Sequence, residues 1–159
     1  MSDTSVRGFT LIELLITVVI VGLLATMAVP VAELTVQRSR ERELREALRE
    51  IRTALDAYKQ AADEGRIVVD RFRSGYPPNL NVLVEGVADA RSNVRERRLY
   101  FLRRVPRDPF ADSALPAASS WGVRSYSSPP DAPSAGDDVF DVYCQSAETG
   151  LNGVPYKQW

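Results

Sequence analysis

One apolar run, Phe9 to Val31, broken by a single charge at Glu13, constrains this chain more than any other feature. At about 1.5 Å per helical residue the run is roughly 34 Å long, against a bilayer hydrocarbon core of about 30 Å. Its polar members, Thr10, Thr17, Gly22 and Thr26, are uncharged. A helix that is apolar on every side has to be buried, in lipid or among other helices. A carboxylate in hydrocarbon costs roughly 2.5–3.5 kcal/mol on insertion scales. Glu13 therefore either snorkels to water near the membrane surface or needs a partner that the lone helix lacks. The leader before it, residues 1–8, holds Arg7 as its single base, and the apolar run is longer than a signal-peptide core. The segment is expected to be retained and to span a membrane over residues 9–31.

Gly8-Phe9-Thr10-Leu11-Ile12-Glu13, followed by an apolar helix and Pro30, resembles the N-terminal motif of type IV pilins and type II secretion pseudopilins. The resemblance implies that residues 1–8 form a cytoplasmic leader, that prepilin peptidase cuts after Gly8, and that Phe9 is N-methylated. It further implies a filament-core helix over 9–31 and a periplasmic domain over 32–159 that begins with the continuing helix. The residue chemistry agrees. Gly8 lets a protease approach the backbone. The new α-amino group, with an ordinary pKa of about 7.7–8.0, is largely cationic at neutral pH. Glu13 is then the candidate assembly residue, pairing with the Phe9 amine of a neighbouring subunit.

Pro30 removes a backbone donor and clashes with the carbonyl four residues earlier, so it either ends or kinks the helix. The pattern beyond it predicts continuation, because Leu44, Leu48, Ile51, Leu55, Tyr58 and Ala62 recur at helical spacing on one face. Glu41 with Arg45, and Arg42 with Glu46, are expected to pair on the exposed side. Gly65 is the expected stop. One helix from about Phe9 to Glu64 follows. Arginines slightly outnumber glutamates between Glu33 and Arg52. The positive-inside rule alone would put that flank in the cytoplasm, whereas the resemblance puts the domain in the periplasm.

Beyond the apolar run roughly 128 residues remain, enough for one modest core. A net charge of −1 argues against a general polyanion binder, and the chain has no histidine to act as base or metal ligand. Cys144 is the only cysteine, so no disulfide can close within the chain, and it reads as a small apolar strand residue. Ile67–Val69 could pair briefly as a strand. Asn79 is the expected N-cap of a short helix reaching about Val84. Arg95–Leu102 reads as either a second short helix or an extended segment. Trp121–Ser127 and Val139–Ser146 read as strands joined by the Ser/Pro/Asp-rich stretch 128–138, with a possible edge strand at the end of the sequence. The expected fold class is α+β, a long helix packed on a small antiparallel sheet in a pilin-like roll.

Downstream segments are similar to those of the major pseudopilin of type II secretion: Tyr76-Pro77 with Leu80 and Leu83-Val84, Tyr100 to Phe110, and Phe140 to Ser146. That family binds calcium after the last of these segments, using several aspartates. The matching stretch here, 147–159, has Glu148 as its only acid, with Asn152 beside it. Calcium takes six to eight oxygens, so a standard site is not expected there. Asp131, Asp137 and Asp138 are the alternative acidic group, and no other cofactor is expected.

Arg91, Arg95, Arg97, Arg98, Arg103, Arg104 and Arg107 make a basic stretch, and acidic residues dominate from Asp108 to Glu148. No aromatic-interleaved groove or nucleic-acid motif accompanies the arginines, so nucleic acid is not the expected partner. Arg103 and Arg104 are instead candidates to face Asp137 and Asp138 of a neighbouring subunit. The function expected is a structural pseudopilin subunit, with a type IV pilus or competence minor pilin as the alternative. No enzyme activity and no small-molecule substrate are expected. The expected partners are copies of the chain, other pseudopilins, prepilin peptidase and the inner-membrane secretion platform.

Overall fold

The computed structural model describes residues 9–70, 73–93 and 97–159, without the side chains of residues 26–32. Residues 1–8, expected to be the leader and ending at Gly8, lie outside the described residues, as do Arg95 and the Pro30 side chain. The architecture is α+β. Helix α1 runs Leu11–Asp63, 53 residues, with residue 30 inside it. Helix α2 (Asn81–Glu85), strands β1 (Val87–Ala88), β2 (Arg98–Leu99), β3 (Trp121–Arg124) and β4 (Asp141–Cys144) follow, with 3₁₀ turns at Ala117–Ser120 and Tyr156–Gln158. The strands form two separate antiparallel pairs rather than one sheet, β1 with β2 and β3 with β4, the latter aligning Trp121 with Cys144 and Arg124 with Asp141.

The chain divides into two compact units, residues 1–39 and 40–159. In the first, every residue from Phe9 to Ala25 is exposed. Among the described residues no helix is long and apolar enough to cross a membrane. The span expected over 9–31 includes residues 26–31, whose side chains are not among those described.

In the second unit the predicted helical stripe is the core. Leu44, Leu48, Ile51, Leu55 and Tyr58 are buried, Ala62 is half-buried, and Ala47, Ala54 and Ala61 fill the adjoining row. Small residues there let Leu83, Leu102, Trp121, Val142 and Tyr156 pack against the helix. Gly65 stops α1 as expected. Its φ of 68° is left-handed, its N–H reaches the Ala62 carbonyl at 2.9 Å, and the Arg66 N–H reaches Ala61 at 2.9 Å. This is a Schellman closure, which favours glycine. Asn79 caps α2 in function, its Oδ1 accepting the Val82 N–H at 3.2 Å.

Three local expectations change. Ile67–Val69 is not a strand; Ile67 instead inserts into the core, and Arg66 turns back to Asp89 at 3.0 Å. That hydrogen-bonded guanidinium holds the Asp89 carboxyl below its ordinary range. The described part of Arg95–Leu102 takes the extended alternative, as β2. The final segment is not an edge strand: a bridge between Thr149 and Pro155 closes a turn, and the following 3₁₀ turn buries Tyr156 completely.

Candidate assembly and processing site

Phe9 and Thr10 precede the helix, and Phe9 is 82 % exposed. The Thr10 hydroxyl accepts the Glu13 amide N–H at 3.3 Å, and the Leu14 N–H reaches the Thr10 carbonyl at 3.2 Å. Thr10 is therefore the N-cap of α1, and Thr10-x-x-Glu13 has the spacing of a capping box. Capping was not part of the sequence reading of Thr10, although that spacing was its visible signal. Glu13 lies in the first helical turn, where a negative charge complements the positive end of the helix dipole. A newly freed amine on Phe9 would place positive charge at the same end, which makes an acid in the first turn useful before any partner arrives. Behind it, Leu11, Ile12, Leu14, Leu15 and Ile16 are all at least half exposed. The structure thus brings Phe9 and Glu13 to one helix end, surrounded by uncovered apolar side chains.

The other predicted residues sit in the second unit. Arg103 and Arg104 are exposed and line two concavities against α1, of about 500 and 400 Å³, opposite Glu46 and Glu50. Asp137 and Asp138 line a different one, of about 390 Å³, with Arg73, Tyr76 and Tyr126. The structure separates the two aspartates by role. Asp138 accepts the Tyr126 N–H at 2.8 Å and the Ser74 hydroxyl at 2.5 Å, so it pins its own chain connection. Asp137 is exposed. Asp131 is also exposed, and no group of three or more metal-type ligands converges among the described residues.

Two buried carboxylates escaped the sequence reading. Glu41, expected on the exposed side, is 4 % exposed. It accepts the Leu151 N–H at 2.7 Å and the Tyr156 hydroxyl at 3.1 Å, with Arg45 at 3.7 Å. Its position three residues before Leu44, on the buried stripe, was the available signal. Asp108 is 1 % exposed and accepts the Phe110 N–H at 2.8 Å. It also neighbours Cys144, whose thiol is pushed up to about 12, first by burial and then by that carboxylate. Cys144 is thus the apolar strand residue that was expected.

Residues 4–29 match the family model of the prokaryotic N-terminal methylation motif. Such an N-terminus is typical of type IV pilin-like proteins. The motif supports prepilin-peptidase processing and N-methylation, and the match covers residues 4–8, the Thr10 N-cap, Glu13 and most of the apolar run. No curated protein and no solved structure matches the chain. The α+β arrangement, a long N-terminal helix with small antiparallel strand pairs, is consistent with a type IV pilin-like protein.

Proposed function

We propose that this type IV pilin-like protein is a structural subunit of a periplasmic type II secretion pseudopilus that helps export folded proteins across the outer membrane. In this reading prepilin peptidase cuts after Gly8 and Phe9 is methylated. The apolar helix anchors the subunit in the inner membrane, and the second unit faces the periplasm. The observation that carries the reading is the uncovered stretch of residues 9–25, helical from Leu11, with apolar side chains exposed along it and one carboxylate in its first turn. Such a surface requires lipid first and neighbouring helices afterwards. Glu13 then pairs with the Phe9 amine of the next subunit and sets the assembly register. Breaking such a buried pair costs about 3–5 kcal/mol.

The choice of a secretion subunit over an adhesive pilin is supported by the downstream similarity, whose residues Leu80, Leu83, Asp108 and Cys144 all lie in the packed interior. The reading assigns no catalysis and no cofactor. Deletion of the gene tests it. Loss of protein export with normal twitching and transformation is expected. Normal export with lost twitching or DNA uptake would transfer the subunit to a pilus or competence system.

A further inference from the structure

The concavity that holds Asp137 and Asp138 is walled by aromatic rings. Tyr76 and Tyr126 stack at 6.0 Å, and Phe140 meets them edge-on at 5.1 and 5.5 Å. Tyr126 remains 61 % exposed. The cluster already takes one guanidinium from its own chain, since Arg124 stands over Phe140 at 4.6 Å. Of the two carboxylates, Asp138 is spent on Ser74 and Tyr126, whereas Asp137 has no ion-pair partner among the described residues. Arg73 also lines the hollow, so among the described residues of the lining two carboxylates face one guanidinium.

An exposed ring face beside an unpaired carboxylate suits arginine better than lysine. The planar guanidinium can stack and form a forked hydrogen bond at once. The same chain carries such groups elsewhere. Arg103 and Arg104 are exposed, and neither has an ion-pair partner among the described residues. Their concavities share no lining residue with the aromatic one. A contact between two different patches of identical chains is heterologous, and repeated without closure it produces an open filament.

We infer that the Tyr76–Tyr126–Asp137 hollow receives Arg103 or Arg104 of a second copy of the chain, the guanidinium stacking on Tyr126 and pairing with Asp137. The inference rests on the filament reading above and adds to it a specific lateral contact.

Cross-linking of the full-length chain in assembled filaments tests it. Asp137→Cys in one copy and Arg103→Cys or Arg104→Cys in another should give disulfide-linked dimers. Buried Cys144 does not compete. A Ser113→Cys and Gln145→Cys pair, exposed and outside all three hollows, serves as a surface control and should stay uncoupled. With one verified cysteine pair in place, Tyr126→Ser should lower the linked fraction roughly five- to tenfold. Lysine at whichever of Arg103 and Arg104 is not the cross-linking site tests that arginine directly, and a comparable fall identifies it as the guanidinium that docks. Filaments that assemble normally, with no cross-link at either arginine, would overturn the contact and leave the filament reading intact. Cross-links that form only to a different pilin-like subunit would overturn the second copy as occupant. If the unmodified chain forms no filament at all, the reading and the contact fall together.

Discussion

The Glu41 carboxylate on α1 accepts the Leu151 amide N–H at 2.7 Å, joining residues 110 positions apart. The same oxygen takes the Tyr156 hydroxyl, and Phe110 and Trp159 pack on the Tyr156 ring at 4.1 and 5.0 Å. The final turn of the chain is therefore held by a protein carboxylate and an aromatic stack. Arg52 reinforces it with bonds to Asp141 and to the Trp159 carbonyl, both at 2.8 Å.

Removing the acceptor should be costly. Glu41→Ala removes the acceptor shared by the Leu151 amide and the Tyr156 hydroxyl, and the second unit should lose about 1–3 kcal/mol of stability. Tyr156→Phe removes one donor and keeps the ring, so it should cost only about 0.5–1.5 kcal/mol. Urea denaturation followed by circular dichroism separates the two. Equal losses would show that Glu41 matters only through Tyr156.

The same geometry bears on calcium. Glu41 Oε1 already accepts the Leu151 N–H, and Asn152 Oδ1 accepts the Val154 N–H at 3.0 Å, so both side-chain oxygens are engaged in holding the turn. Millimolar calcium or a chelator should leave the thermal midpoint of the protein unchanged. A calcium-dependent rise of several degrees would reveal a cation site.

Cys144 should be inert in the folded protein. Its thiol is raised from an ordinary value of 9.0 to about 12, chiefly by burial. Alkylation by iodoacetamide at pH 8 should be slow until the protein is unfolded. The linkage has a definite sign: the stabilisation is fully present below pH 9, where both states keep the proton. It is lost as pH rises toward 12, because the unfolded thiol ionises first. Cys144→Ser should remove that part of the alkaline decline.

At the helix start, two variants should differ in kind. Thr10→Val removes the N-cap hydroxyl and should cost about 1 kcal/mol of local helix stability, with filaments still forming. Glu13→Ala should abolish or severely reduce filaments while the processed subunit stays in the membrane fraction. Quantifying sheared filaments against membrane-bound subunit checks both, and wild-type assembly of Glu13→Ala would remove Glu13 from the assembly role.

Gly122 is set by a close approach. It faces Tyr143 across the β3–β4 pair, and a Cβ placed there would lie 2.4 Å from the tyrosine ring. Gly122→Val should destabilise the second unit by about 1–3 kcal/mol through overpacking. Pairing it with Tyr143→Ala should recover part of the loss in a double-mutant comparison of thermal midpoints.

The sequence by itself determined the N-terminal motif, the buried stripe from Leu44 to Tyr58, the Gly65 stop, and the strands that became β3 and β4. Each of these is written in residues a few positions apart, as cap spacing, helical periodicity or strand composition, and local signals of that kind survive without knowledge of the fold. Tertiary structure decided what Glu41, Asp108 and Asp138 do and why the last segment is a buried turn instead of an edge strand. Glu41 looked like half of a surface pair because its i+4 neighbour is Arg45. It is buried because Leu151 and Tyr156 reach it from 110 and 115 positions away. The identity of a carboxylate's distant partners is fixed by packing, and no spacing along the chain records it.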